Sequence, residues 1–173
     1  TYTFKLRPDA RWSNGDDVVA EDFVYSLRRS LDPATLSRYT FILNPILNAT
    51  DIASGERPIT DLGVRALDEY TLEIRLENAT PYFLGLLTHS ASYPVHRASI
   101  EAHGEQHTRP GNLVSNGAFQ LKDWVVQSHV QLVRNPYYWD NDKTILDEVF
   151  FHNTEDKSAE IRRYRADELD ITY

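Results

Sequence analysis

Apolar and polar residues alternate from Tyr2 to Arg7, with Tyr2, Phe4 and Leu6 on one side and Thr3, Lys5 and Arg7 on the other, which is the period of a half-buried strand. Beyond Trp12 the period changes. Phe23, Val24, Leu27 and Leu31 make one apolar stripe at helical spacing, Glu21 and Asp22 fall in the first turn, and Arg28 and Arg29 sit near the end, where cations suit the macrodipole. Asn14-Gly15 between the two predicts a tight turn, because these residues supply the positive φ angles such turns need. Across residues 39–54 the apolar positions Phe41, Ile42, Leu43, Ile46, Leu47 and Ile52 are interrupted by Pro45, which forbids one long helix and predicts short helical pieces. Gly55-Glu56-Arg57-Pro58 reads as a loop. Residues 64–67 and 71–77 then predict a hairpin turned through Asp68-Glu69-Tyr70, with Leu72, Ile74 and Leu76 facing inward.

Pro81 suits the first turn of a short helix carrying Phe83, Leu84, Leu86 and Leu87. Tyr93-Pro94-Val95 crosses over to a helix predicted over 97–103 and a polar loop over 108–112. Residues 118–126 and 129–134 predict an antiparallel strand pair, another strand lies near 145–151, and a helix spans about 157–164. The alternation of Leu169-Asp170-Ile171-Thr172-Tyr173 predicts a terminal strand. Strands and helices are mixed without strict βαβ alternation and without a solenoid repeat, so the fold class is α/β (mixed).

The wording of these elements carries more than their periodicity. Y-T-F-K-L-R-P-D-A-R-W-S-N-G followed by A-E-D-F-V-Y-S-L-R-R resembles the signature of the extracytoplasmic peptide-binding proteins of bacterial ABC importers, the extracellular solute-binding proteins of family 5. Asp32-Pro33-Ala34-Thr35 with Ser37-Arg38-Tyr39, Asp61-Leu62-Gly63-Val64, Pro81-Tyr82-Phe83, Asn116-Gly117-Ala118-Phe119 with Trp124-Val125-Val126, Arg134-Asn135-Pro136 with Tyr138-Trp139, and Arg163-Tyr164-Arg165 before Asp170-Ile171-Thr172-Tyr173 continue the likeness in the right order.

That resemblance implies a two-lobed, periplasmic-binding-protein-like fold, in which residues 1–96 form the accessory small lobe and residues 97–173 part of the first ligand-binding lobe. Because its first and last residues both read as strand and relatives are several times longer, the chain is expected to be a piece of such a protein, without the leading segment and the distal lobe. The implied activity is capture of a short peptide between lobes that close by a hinge, then delivery to an ABC permease in the cytoplasmic membrane. No enzymatic step is implied. The implied location is the periplasm, or a lipid anchor on the outer face of the membrane in a Gram-positive source. Relatives of the same architecture bind murein peptides, dipeptides or nickel complexes, so the solute stays open among these.

Two tyrosines stand at positions where the resembling proteins touch peptide. Tyr39 occupies the S-x-Y position after Asp32-Pro33, and Tyr173 ends R-Y-R-x-x-E-L-D-I-T-Y. A tyrosine offers a flat apolar wall and one hydroxyl, which suits side chains of varied identity. The groups that would hold the peptide termini are expected outside this chain.

Composition narrows the alternatives. A net charge of −8, from 26 acidic against 18 basic residues and with no basic run, argues against a nucleic-acid partner. The absence of cysteine fits an exported protein without disulfides but is equally compatible with a cytosolic one. No signal peptide, lipid-attachment cysteine or bilayer-length apolar run is present, so any targeting segment is expected to have been removed.

The reactive residues assemble no site of their own. His103 and His107 have i, i+4 spacing, but Gly-Glu-Gln lies between them in place of an H-E-x-x-H arrangement, and Gly104 is expected to end the helix. Asp140-Asn141-Asp142 with Thr144 and Asp147 has Ile145 where a calcium loop needs glycine and lacks the closing glutamate. There is no cysteine nucleophile, no G-x-S-x-G elbow and no glycine-rich phosphate loop. Asp16, Asp17, Glu21 and Asp22 read as a polar turn and a helix start. No catalytic residue, metal ligand or cofactor is therefore assigned, and an unrecognised hydrolase domain is the competing reading from another class.

Overall fold

A computed structural model describes residues 1–172. Strand β1 (Tyr2–Lys5) leads through the Asn14-Gly15 turn into helix α1 (Ala20–Leu31). Of the turn pair only Gly15 has positive φ, at +94°, because Gly15 N–H is already bonded to the Trp12 carbonyl at 2.8 Å and the Asn14 side chain is held by Asp16. The acidic first turn, the apolar stripe and the basic last turn of α1 fall where the pattern puts them. Asp22 does more than complement the dipole. Its Oδ2 accepts from Val19 N–H and from Trp12 Nε1–H, each at 3.0 Å, so one carboxylate closes the first turn and ties down the indole.

Pro45 divides the next segment into a 3₁₀ turn at Thr40–Leu43 and helix α2 (Ala49–Ala53). The hairpin follows as β2 (Val64–Asp68) and β3 (Thr71–Ile74). β1 joins its far side, giving an antiparallel sheet of order β1-β3-β2 with Phe4 opposite Leu72 and Val64 opposite Ile74. That register turns Leu72 and Ile74 toward α1, where they are buried with Val24, Leu27, Leu31, Leu43, Ile46, Ile52 and Phe83. Each such side chain contributes about 1.5–3 kcal/mol relative to exposure. Phe83 belongs to the short helix α3 (Phe83–Leu86), which begins two residues after Pro81 and not at it, and whose Leu84 points outward.

Gly63, just before β2, is required for space. A Cβ there would lie 2.6 Å from Leu47 Cβ and 2.9 Å from the Arg75 carbonyl oxygen, and the Gly63 backbone bonds both residues, with N–H to Leu47 C=O at 2.9 Å and C=O from Arg75 N–H at 2.7 Å. Neither neighbour can withdraw without breaking a bond, so Gly63→Ala is expected to cost about 1–3 kcal/mol. Gly85→Ala, within α3 and with nothing inside 4 Å, should be neutral or slightly stabilising. Urea melts of the two variants check the contrast, and equal stabilities would refute it.

Helix α4 (Arg97–His103) has the bounds that the sequence predicts. His96 caps it, its Nδ1 accepting from Ser99 N–H at 3.2 Å, and Gly104 ends it at φ +53°. A 3₁₀ turn over Gly104–Thr108 follows, ahead of the predicted loop. Strands β4 (Phe119–Val125), β5 (His129–Arg134) and β6 (Glu148–His152) form a second antiparallel sheet with β5 central. Helix α5 (Lys157–Arg165) comes next. The predicted terminal strand does not form over residues 169–172, which pair with no described strand and are held at Thr172 by its hydroxyl donating to Glu160 Oε1 at 2.7 Å, and Tyr173 lies outside the described residues.

The buried apolar cluster lies entirely between residues 20 and 83. In the second half Asn135 is fully buried, whereas Trp124, Ile145, Phe150 and Phe151 stay exposed. The halves are joined around Trp12, which is 1% exposed and meets the His96 ring edge-on at 5.2 Å. Ser13 N–H donates to the Ser115 carbonyl at 2.7 Å, the Ser26 hydroxyl accepts from Val95 N–H at 2.7 Å, and the Arg7 guanidinium lies 3.3 Å over the Trp139 ring. Among the described residues no helix is long and apolar enough to cross a membrane.

Candidate functional site

Tyr39 is presented by the chain that leaves α1. Asp32 breaks that helix and its Oδ1 accepts from Ala34 N–H at 2.9 Å, starting a 3₁₀ turn over Pro33–Thr35. Leu36 then adopts the left-handed conformation at φ +53°, a costly state for a leucine that swings the following residues outward. The Tyr39 side chain ends 53% exposed. It is supported from behind, with the His89 ring centroid at 5.0 Å and that of Phe41 at 6.1 Å, so three rings make one surface shelf. No described residue bonds the Tyr39 hydroxyl, which leaves one donor and acceptor for a ligand.

His89 was not singled out by sequence, because no motif links residue 89 to residue 39 and only the fold brings them together. Its Nδ1 accepts from Ala91 N–H at 3.1 Å. A neutral imidazole so engaged carries its proton on Nε2, so the ring adds a second donor to the shelf. The shelf can thus pack against apolar groups and hydrogen-bond polar ones at its rim. Tyr173, the other residue singled out by sequence, lies outside the described residues.

His103 and His107 are not aligned on one helix. α4 ends at His103, and His107 belongs to the following 3₁₀ turn with its Nδ1 2.8 Å from the Gly104 carbonyl. In the acidic loop Lys143 Nζ lies 3.1 Å from Asp140, so a lysine stands where a cation would bind. Asp16 is engaged by His96 at 3.1 Å, Asp17 by Arg11, and Asp22 by the α1 cap, which gives the acidic cluster a structural account.

Comparison with known proteins identifies the framework that carries this shelf. Residues 1–173 match the family model of the bacterial extracellular solute-binding proteins, family 5 Middle. The chain belongs to this family. It is 47% identical over 173 residues to the periplasmic oligopeptide-binding protein OppA of Escherichia coli (strain K12), covering 99% of this chain and 32% of that protein. It is 43% identical to the periplasmic murein peptide-binding protein MppA of the same strain, again over 99% of this chain and 32% of the relative. Among solved structures, Burkholderia pseudomallei OppA matches with a TM-score of 0.96 at 38% identity, over 99% of this chain and 34% of that one. Haemophilus influenzae OppA in complex with RPPGFSPFR matches with a TM-score of 0.94 at 39% identity, over 97% of this chain and 33% of that one. The mixed α/β fold is that of these periplasmic binding proteins, and the chain spans about a third of their length.

Proposed function

We propose that this chain is part of the solute-binding component of an ABC importer, a protein that captures short peptides in a cleft between two lobes and hands them to a permease in the cytoplasmic membrane. It works outside the cytoplasm and performs no chemistry on its cargo. The observation that carries the reading is the Tyr39 shelf, a half-exposed ring whose hydroxyl no described residue bonds, backed by His89 and Phe41, on a framework of family 5. Relatives named as oligopeptide-binding, and one solved with a nonapeptide, support peptide as the solute class. Residues 1–96 are assigned to the accessory lobe and residues 97–173 to part of the ligand-binding lobe, with the Ser13–Ser115 hydrogen bond and the Arg7–Trp139 contact between them. Closure of two lobes around an extended peptide provides main-chain hydrogen bonds that ignore sequence, while hydrated side-chain pockets tolerate variety. The similarity to a murein peptide binder keeps cell-wall peptides within the same class.

Titration calorimetry of the whole protein with tri- and tetrapeptides, a murein tripeptide included, tests this. Tyr39→Ala is expected to weaken many peptides by about 1–2 kcal/mol, as lost aromatic packing would, with an unchanged melting temperature because no core cavity is made. Tyr173→Ala should discriminate among side chains more than Tyr39→Ala does. Unchanged affinity accompanied by a large stability loss would make Tyr39 a packing residue and remove the site from this shelf.

A further inference from the structure

Antiparallel pairing of β5 and β6 places His129 directly opposite His152, so the two imidazoles leave the same face of the sheet although they are distant in sequence. Their ring centroids are 6.2 Å apart. With a metal–nitrogen bond of about 2.1 Å an ion sits about 3.2 Å from each centroid, so two imidazoles that share an ion have centroids no more than about 6.4 Å apart. The observed separation is inside that reach, and a small side-chain rotation closes it further. We propose that His129 and His152 form a two-imidazole site for a borderline divalent transition ion, Cu2+ binding most tightly, at the exposed end of the β5–β6 pair.

Three features support the assignment. His129 Nδ1 lies 2.9 Å from the Ser128 hydroxyl; as donor to that oxygen it leaves the Nε2 lone pair free for an ion, as in histidines whose other ring nitrogen is held by a hydrogen bond while they bind metal. Ser128 is itself held, its carbonyl accepting from Asn153 N–H at 2.9 Å next to His152, so the two ring-bearing segments are clamped at the pair. The His152 ring makes no hydrogen bond to any described residue, so no partner has to be released for it to take an ion. Arg163 would repel an ion, but its guanidinium is 3.1 Å from the Glu168 carboxylate, which offsets its field. No third histidine, cysteine or carboxylate joins the pair among the described residues, so water completes the coordination. Imidazole nitrogen suits Cu2+ and Zn2+ in the order Cu2+ above Zn2+ and does not suit Ca2+ or Mg2+, which need oxygen cages. Helical spacing along the sequence does not bring these two histidines together; the cross-strand register of β5 and β6 does.

Calorimetric titration of the whole protein with Cu2+, Zn2+ and Ca2+ salts, with copper electron paramagnetic resonance, tests the site. One Cu2+ equivalent should bind with coordination by two nitrogens, Zn2+ more weakly and Ca2+ not at all. His129→Ala and His152→Ala should each lower Cu2+ affinity about tenfold or more, and His103→Ala with His107→Ala should leave it unchanged. Both ligands are on the surface, so circular dichroism should show each variant folded. Absence of Cu2+ binding, or the same equivalent surviving in the His129→Ala, His152→Ala double variant, would overturn the proposal.

Discussion

Replacing Trp12 by alanine is expected to destabilise the protein by about 3–5 kcal/mol, the range for truncating a fully buried large aromatic. The indole is 1% exposed, donates to Asp22 at 3.0 Å and meets His96 at 5.2 Å, so the variant opens a cavity next to Ser13, whose N–H bonds Ser115 at the seam between the halves, and leaves the α1 cap with a single bond. Its effect should be on cooperativity as well as on midpoint. The second half buries little apolar surface of its own and leans on this seam, so a weakened seam lets it open before the first half, and the urea m-value should fall. Trp12→Phe keeps most of the volume and loses only the Nε1–H bond, so its loss should be smaller, about 1–2 kcal/mol. Phe41→Ala, at a ring 58% exposed, is the control and should change stability by less than about 0.5 kcal/mol. Urea melts of the whole protein followed by circular dichroism check all three, and a Trp12→Ala loss no larger than that of Phe41→Ala would show that the seam is not where stability is held.

Legibility followed the range of the forces involved. α4 could be bounded to the residue because its start and stop are local: His96 caps it and Gly104 takes a positive φ at its end. The β2–β3 hairpin was equally plain, since inward-facing Leu72 and Ile74 alternate with polar residues around a polar turn. β6 shifted from the predicted 145–151 to Glu148–His152 because pairing with β5, and not its own hydrophobicity, sets its register; Ile145 and Leu146 are apolar yet remain exposed outside the strand. The terminal strand failed for the related reason that alternation alone cannot supply a partner. At the candidate site, Tyr39 was legible through the words around it, whereas His89 was not, since ring contact between residues 39 and 89 depends on how the Thr40–Leu43 turn packs against a second 3₁₀ turn over Ser90–Ser92. The same limit hid His129 and His152, whose relation is a matter of cross-strand register.

Asn135→Ala is expected to cost about 3 kcal/mol, a large loss for so small a truncation. Asn135 is 0% exposed in a half of the chain that buries almost nothing else completely. Its side-chain amide donates to the Gly117 carbonyl at 2.9 Å, its Oδ1 accepts from Tyr137 N–H at 3.0 Å, and its own N–H donates to Ala118 C=O at 2.9 Å. One side chain thus fastens the entry of β4 to the exit of β5 and turns the chain into Pro136. Alanine leaves the Gly117 carbonyl and the Tyr137 N–H facing the fully buried position of the lost amide without their partner, each at about 1–3 kcal/mol. Asn135→Asp separates the hydrogen-bond account from a simple loss of volume. The new carboxyl can still accept from Tyr137, but when ionised it turns a lone pair toward the Gly117 carbonyl, so burial and that carbonyl raise its folded pKa above the unfolded value of about 3.9. In the window above about pH 4 the folded state then holds more protons than the unfolded state, and by linkage the stability of the variant relative to wild type falls as pH rises until the folded pKa is passed. Below that window the protonated carboxyl donates to Gly117 as the amide did, and the variant should come closest to wild type. Urea melts of wild type and both variants from pH 3.5 to 8 measure this. A pH-independent deficit in Asn135→Asp, equal to that of Asn135→Ala, would mean that the amide donor to Gly117 contributes nothing and that Asn135 acts by its volume alone.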